Sequence, residues 1–267
     1  WVSHVPCLRV PQTKIEKLQM DGDKSELWLI TGASSGIGAA VVQAARASGA
    51  RVLALDVDDQ AGFALADQTG AVFQHCDVSS QADWQDVATT LAELGSPTHI
   101  HLNAGIQIAP PDASLQEYRF DAFDLERYRR MMRVNVDGVV FGLQTLVPLL
   151  QPGAAIVVTA SLAGITPYSV DPLYAMSKHA VVGLVRSLGS ALAKRQIRIN
   201  AICPGGVDTD IIPQAQRTDD AVFMSPEHVA QEVIHLMGVT ETGKSWAKVA
   251  ESKPVFIIRA PGDKDRG

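Results

Sequence analysis

The stretch Trp28-Leu29-Ile30-Thr31-Gly32-Ala33-Ser34-Ser35-Gly36-Ile37-Gly38 constrains this chain more than any other. Apolar residues run straight into a turn holding three glycines, and an alanine-rich segment with helical spacing follows. A short buried strand, a glycine turn and a helix N-terminus together make a phosphate cradle. Glycine lets the backbone approach an anion closely, and the free N–H groups at the helix start bind its charge. The spacing G-x-x-x-G-x-G is neither the G-x-G-x-x-G dinucleotide fingerprint nor a Walker A loop. Taken alone, it implies either a nucleotide site or a bare strand-to-helix turn.

From residue 27 onward strands and helices alternate. Strands are expected at Leu27–Thr31, Arg51–Leu55, Ala71–His75, His99–Leu102, Ala154–Thr159 and Arg198–Ile202. Helices are expected at Gly38–Ser48, Asp59–Gln68, Ser80–Leu94, Leu125–Leu150 and Leu173–Lys194, and Ser225-Pro226-Glu227 opens a last one, with serine as cap and proline at the first helical position. A final strand lies in either Ser245–Val249 or Val255–Ile258. The alternation predicts an α/β fold, with a mostly parallel, doubly wound sheet of about seven strands and helices on both faces. No repeat or linker divides it, so residues 20–267 read as one domain. Trp1 to Gln19 carry no glycine turn and no clear period, whereas Met20-Asp21-Gly22-Asp23 resembles a native start. Residues 1–19 are therefore expected to be a cloning remnant, an over-called upstream extension or a poorly ordered arm, without the layout of a secretory signal.

Composition removes several function classes. The chain of 267 residues is 46% hydrophobic, enough for a large core, and its net charge of −6 comes with no basic stripe, so a nucleic-acid partner is not expected. No apolar run reaches the ~18 residues of a membrane span. Cys7, Cys76 and Cys203 are far apart, which points to a reducing, cytoplasmic compartment without disulfides or a zinc site.

Six consecutive strands end in chemically useful residues: Gly32, Asp56, Asp77, Asn103, Ser161 and Pro204-Gly205. Ligands of open α/β sheets bind outside the carboxyl ends of the strands, so these residues fit one long ligand lying across that edge. Asp56 lies 18 residues past Gly38. It is either a turn aspartate or the acceptor for both ribose hydroxyls of a dinucleotide, in which case it repels a 2′-phosphate and selects NAD over NADP. In Tyr174-Ala175-Met176-Ser177-Lys178 the phenol and the ammonium share a helix face. A free tyrosine, with a pKa of roughly 10, is a poor base at neutral pH. A nearby ammonium favours the phenolate and is expected to bring it into working range. Ser161, thirteen residues upstream, could hold a substrate oxygen beside the phenol.

With these residues assembled, the chain from residue 27 to about 240 resembles the short-chain dehydrogenase/reductase family. Thr31-Gly32-Ala33-Ser34-Ser35-Gly36-Ile37-Gly38 is similar to its cofactor turn, Cys76-Asp77-Val78 to its adenine-pocket motif, and Asn103-Ala104-Gly105 to the motif beside the cofactor. Asn135 falls where the family keeps a catalytic asparagine, and Ser161, Tyr174 and Lys178 complete a tetrad. Pro204-Gly205-Gly206-Val207-Asp208-Thr209 resembles the segment packed on the nicotinamide. The resemblance implies a Rossmann-type fold that binds NAD through Gly32, Ser34, Ser35, Gly36, Ile37, Gly38, Asp56, Asp77, Val78, Asn103, Ala104, Gly105, Tyr174, Lys178, Pro204, Gly205, Val207 and Thr209. It also implies that Ser161 and Tyr174 hold the substrate oxygen and that Tyr174 moves the proton. Lys178 would hold the nicotinamide ribose and the phenolate, and Asn135 would position a relay water. No metal is required.

The implied substrate is a secondary alcohol or ketone, mainly apolar, in a pocket expected to be lined by Ile106, Leu162, Ala163, Tyr168, Val207 and Ile211. The family's helix seam implies a homo-oligomer, dimer or tetramer, although the small residues Ala175, Gly183, Gly189 and Ala193 equally suit packing within one chain. The lid segment Asp210–Met224 is short, and the tail lacks the V-D-G-G ending common among reductases. An NADPH-dependent carbonyl or acyl-chain reductase is the rival enzyme, and a non-catalytic nucleotide-binding or redox-sensing relative the rival class. Asp56 opposes the first and the complete tetrad the second. His99, His101 and His179 read as structural.

Overall fold

In this computed structural model, residues 26–218 and 220–260 are described. The expectations for residues 1–19 and for the charged end beyond residue 260 lie outside them. The strands are β1 (Leu27–Thr31), β2 (Arg51–Asp56), β3 (Val72–His75), β4 (His99–Leu102), β5 (Ala155–Thr159), β6 (Arg198–Pro204), β7 (Lys244–Lys248) and β8 (Phe256–Ile258). The helices are α1 (Gly36–Ala47), α2 (Asp59–Thr69), α3 (Gln81–Leu94), α4 (Leu125–Met132), α5 (Gly138–Leu146), α6 (Pro172–Ala193) and α7 (Pro226–Gly238).

The strand order is β3-β2-β1-β4-β5-β6-β7-β8. Every pair is parallel except β7–β8, which is antiparallel. The sheet thus has eight strands where about seven are predicted, because both candidates for the last strand form. Lys244–Lys248 extends the parallel sheet, and three residues later in the tail turn back along its edge.

All five residues of β1 are buried, and β5 is buried as far as Val158. Continuous apolar runs of this kind belong to a sheet covered on both faces. On one face Trp84, Val87 and Leu91 of α3, Leu143 of α5 and Val181, Val182 and Val185 of α6 form the core. On the other, Val41 and Val42 of α1, Leu65 of α2 and Val229 and Val233 of α7 do the same. β1 is flanked by β2 on one side and β4 on the other, so the order reverses there and opens a crevice at the carboxyl ends.

The predicted helix over residues 125–150 is interrupted. A π-helical turn over Arg133–Asp137 separates α4 from α5, with Asn135 at its middle. Such a turn widens the backbone ladder and re-aims a side chain, and it recurs at functional sites.

Candidate active site

The glycine turn has the shape its sequence implies. Gly32 and Gly36 have φ of +60° and +51°, a region that side chains strain to adopt. A Cβ on Gly32 would lie 2.8 Å from the Ala104 Cα, one on Gly36 would lie 2.8 Å from the Thr209 Cγ2, and one on Gly38 would collide with the Gly32 carbonyl. Ser35 caps α1 without a side-chain hydrogen bond, and no acidic residue stands in the first turn of α1. The electropositive helix start is therefore not neutralised from within, which fits the diphosphate of a dinucleotide. Asp56 ends β2 with Oδ2 accepting from the Ser34 N–H at 2.9 Å and Oδ1 from the Val57 and Asp58 N–H groups. Its carboxylate is thereby fixed beside the turn.

Asn103 ties the crevice together. Its amide donates to the Gly32 carbonyl at 3.2 Å, its Oδ1 accepts from the Thr159 hydroxyl at 3.0 Å, and the Asn103 and Ala104 N–H groups both donate to the Thr31 hydroxyl. His101 Nε2 lies 2.8 Å from the same Thr159 oxygen. That hydroxyl gives its proton to Asn103, so the imidazole donates from Nε2 and its Nδ1 is bare. Burial holds His101 neutral, with a pKa near 3. His99 stacks on Trp28, and His179 Nδ1 lies 2.9 Å from the Ala175 carbonyl of its own helix.

Ser161, Tyr174, Lys178 and Asn135 meet above the ends of β4 and β5. The Ser161 side chain stands beside the Tyr174 phenol and favours its ionised form. Lys178 Nζ donates to the Thr159 carbonyl at 3.0 Å and lies 5.6 Å from the centre of the Tyr174 ring. Asn135 accepts from the Ile106 N–H and donates to the Ile106 carbonyl, each at 2.8 Å, and donates also to Ser177 Oγ. Lys178 Nζ and Asn135 Oδ1 both border Gly105, where a Cβ would lie 3.1 Å from the first and 3.4 Å from the second. No larger residue suits that position without displacing the tetrad.

The electrostatics differ from the sequence-based expectation. Burial pushes the Tyr174 phenol above the usual tyrosine range, opposed by the neighbouring Ser161 hydroxyl, and burial lowers Lys178 to about 8. Desolvation, not the ammonium, dominates the phenol, because both groups sit deep in the site and Lys178 is bonded to a backbone carbonyl. Spacing along a helix shows that two groups share a face but not how dry that face is.

The remaining predicted residues border the same crevice. Asp77 turns the chain after β3, its Oδ1 accepting from the Ser79 N–H, and Val78 packs where a Gly138 Cβ would be, 2.7 Å away. Pro204 ends β6, Gly205 donates to the Lys248 carbonyl, and Thr209 lies over Gly36. Ile37 is half-buried and packs with the core under α1. Of the predicted pocket residues, Ile106, Ala163, Tyr168 and Ile211 cluster with Tyr174. Leu162 and Val207 instead pack against the cores on the two faces of the sheet, because each follows its strand too closely to reach outward. Gly189 packs on Gly243, and Ala175 joins the cluster around Tyr174, so those small residues serve the chain's own packing.

The reading from sequence missed two residues. Asp171 is fully buried at the N-cap of α6; Oδ1 accepts from the Tyr174 N–H at 2.9 Å and Oδ2 from the Ile108 N–H at 3.0 Å. It fixes the turn of helix bearing the phenol to the loop gripped by Asn135, and burial raises its pKa against those bonds. Asp171-Pro172 is itself a helix-start signal that could have found it. Gln107, one residue past Ile106, spans to the lid by donating to the Ile211 carbonyl at 2.9 Å. Among the described residues no group of three His, Cys, Asp or Glu side chains could hold a metal ion, and no helix is long and apolar enough to cross a membrane.

Comparisons with known proteins agree with this fold. Residues 26–220 match the family model described as short chain dehydrogenase. The chain is 34% identical over 227 residues to 2,5-dichloro-2,5-cyclohexadiene-1,4-diol dehydrogenase of Sphingobium indicum, covering 78% of this chain and 88% of that one. It is 33% identical over 207 residues to (+)-borneol dehydrogenase 2 of Salvia officinalis, covering 72% and 70%. In fold it is similar to a dehydrogenase/reductase from Sinorhizobium meliloti 1021, with a TM-score of 0.76 at 23% identity over 91% of this chain and 100% of the other. A 3-ketoacyl-(acyl-carrier-protein) reductase from Brucella melitensis, complexed with NADH, gives 0.75 at 24% identity over 84% and 97%. The chain belongs to the short-chain dehydrogenase family, whose oxidoreductases use nicotinamide dinucleotides.

Proposed function

We propose that this protein is an NAD-dependent dehydrogenase that interconverts a secondary alcohol and its ketone. The observation that carries the reading is the meeting of Ser161, Tyr174, Lys178 and Asn135 beside a glycine cradle that ends at Asp56. The residues present fit a dinucleotide, with the first turn of α1 for the diphosphate, Asp56 for the adenosine ribose, Lys178 for the nicotinamide ribose and Thr209 for the carboxamide. Asp56 supports NAD over NADP, since a fixed carboxylate at that place repels a 2′-phosphate. When bound, the nicotinamide supplies the hydride acceptor in oxidation and the donor in reduction.

The chain's own groups do the rest. Ser161 and Tyr174, side by side, hold the substrate oxygen between them. In oxidation Tyr174 acts as the phenolate, its own proton having left through Lys178 and the relay water; it takes the alcohol's O–H proton while the carbinol carbon gives up its hydrogen as hydride, leaving a ketone. In reduction Tyr174 returns the proton to the new alkoxide. Asn135 and Asp171 hold the Ile106–Ile108 loop against α6 and so keep the phenol in place, while Asn135 Oδ1, close to Lys178 Nζ, suits a proton-relay water. Ile106, Ala163, Tyr168 and Ile211 support an apolar substrate body, and relatives named for a diol and for borneol accord with an alcohol substrate. A homo-oligomer through the long helices and a cytoplasmic location belong to the same reading, supported by the exposed Val140 and Met176 and by cysteines too sparse for a disulfide framework. A panel of secondary alcohols with NAD, followed by the absorbance of reduced nicotinamide, tests it. Turnover of at least one alcohol is expected, and a preference for NADP would overturn the cofactor assignment.

A further inference from the structure

Beside the proposed substrate site stands an acceptor that the proposed reaction does not use. Gln107 is 8% exposed, and its Oε1 has no hydrogen-bond partner. The orientation of its amide is decided by its neighbour: the Ile211 carbonyl, 2.9 Å away, can be met only by Nε2. Oε1 therefore faces away from the lid. The same side chain bears on the Tyr168 phenol, and the Tyr168 ring stands edge-on to Tyr174 with centres 6.2 Å apart. Tyr168 is in turn engaged by Gln216 of the lid. Ile106 and Ile211 carry no donor side chain, and the Tyr168 hydroxyl gives its proton to Gln216 Oε1 at 3.1 Å.

A buried acceptor left without a donor is costly, and in a binding chamber a ligand group is the ready source of one. A site built to hydrogen-bond a substrate hydroxyl discriminates against the analogue that lacks it far more strongly than an apolar wall discriminates by size. We propose that Gln107 is a specificity-determining residue whose Oε1 accepts a hydrogen bond from a second hydroxyl of the substrate. The favoured substrates are then diols with an otherwise apolar body, one hydroxyl reacting at Tyr174 and the other held by Gln107. This inference rests on the dehydrogenase reading above and names the substrate class of that same site.

The test uses the purified full-length protein with NAD and cyclohexanol against the 1,2-, 1,3- and 1,4-cyclohexanediols, comparing kcat/KM. The wild type is expected to favour at least one diol over cyclohexanol by tenfold or more, and Gln107→Met, of similar length but without an acceptor, to bring that ratio close to one. A cofactor titration and a thermal melt of the variant show that it is folded. Turnover without a diol preference in the wild type, or a preference that survives in Gln107→Met, overturns the Gln107 assignment and leaves the dehydrogenase reading standing. Failure to oxidise any of the four alcohols or any of the wider panel overturns both.

Discussion

Lys178 donates its ammonium to the carbonyl of Thr159 at 3.0 Å, which places a buried cation at the end of β5, two residues before Ser161. The strand that carries the serine and the helix that carries the tyrosine are thus joined by the tetrad's own lysine. Thr159 contributes twice, because its hydroxyl also donates to Asn103, which holds Gly32 of the cradle. Cofactor turn and proton-transfer site are parts of one hydrogen-bonded frame.

Burying that cation has a cost with a defined pH window. Lys178 titrates near 8 in the folded chain against about 10.5 for an unperturbed lysine, so folding favours its neutral form. The cost is absent above the unfolded pKa and is fully present below about 8. At roughly 1.4 kcal/mol per unit, the ceiling at pH 7 is roughly 3 kcal/mol, less about 1 kcal/mol for the hydrogen bond to Thr159. Lys178→Met is therefore expected to be more stable than wild type at pH 7 and inactive. Its advantage should shrink as the pH rises from about 8 toward 10.5. Urea unfolding at pH 7 and pH 10 checks this, and a less stable variant at pH 7 would contradict it.

Asp56→Asn keeps the oxygen that accepts the Ser34 or Val57 N–H and removes the charge. The discrimination between NAD and NADP, measured as a ratio of dissociation constants, is expected to narrow tenfold or more. An unchanged ratio would mean that the carboxylate serves the turn alone.

The two crowded glycines should fail differently. Gly38→Ala drives a methyl into the Gly32 carbonyl, where no flexible group can yield, so loss of folding stability by several kcal/mol is expected. Gly36→Ala meets only the Thr209 side chain and a strained φ, so it should fold, with weakened nicotinamide binding. Thermal melts separate the first case, and a cofactor titration detects the second.

How far the sequence carried the argument depended on whether the deciding interaction was local. The buried strands β1 and β5 and the cap Ser225 are legible because each is written in neighbouring residues. The carboxyl-edge placement of Asp56, Asn103 and Ser161 followed from strand-helix alternation, whereas the order reversal at β1 is a matter of tertiary pairing. The eighth strand was not legible as an addition, since a three-residue edge strand is stabilised by its pairing with β7 rather than by its own pattern. Asn135 stood out in sequence, yet its grip on Ile106 and the π turn that aims it are tertiary facts. Asp171 reads locally as a helix cap; its second bond, to Ile108, spans 63 residues. The pKa directions of Tyr174 and Lys178 escaped for the same reason, because burial depth is not contained in an i, i+4 spacing.

The most direct test of the account is Tyr174→Phe. Phenylalanine keeps the ring that packs against Tyr168 and removes only the oxygen beside Ser161. Oxidation of the best alcohol substrate should fall by about a thousandfold or more, in the range of a lost general acid–base group, while the NAD dissociation constant stays within about twofold. Turnover at the wild-type rate in that variant would contradict the central claim.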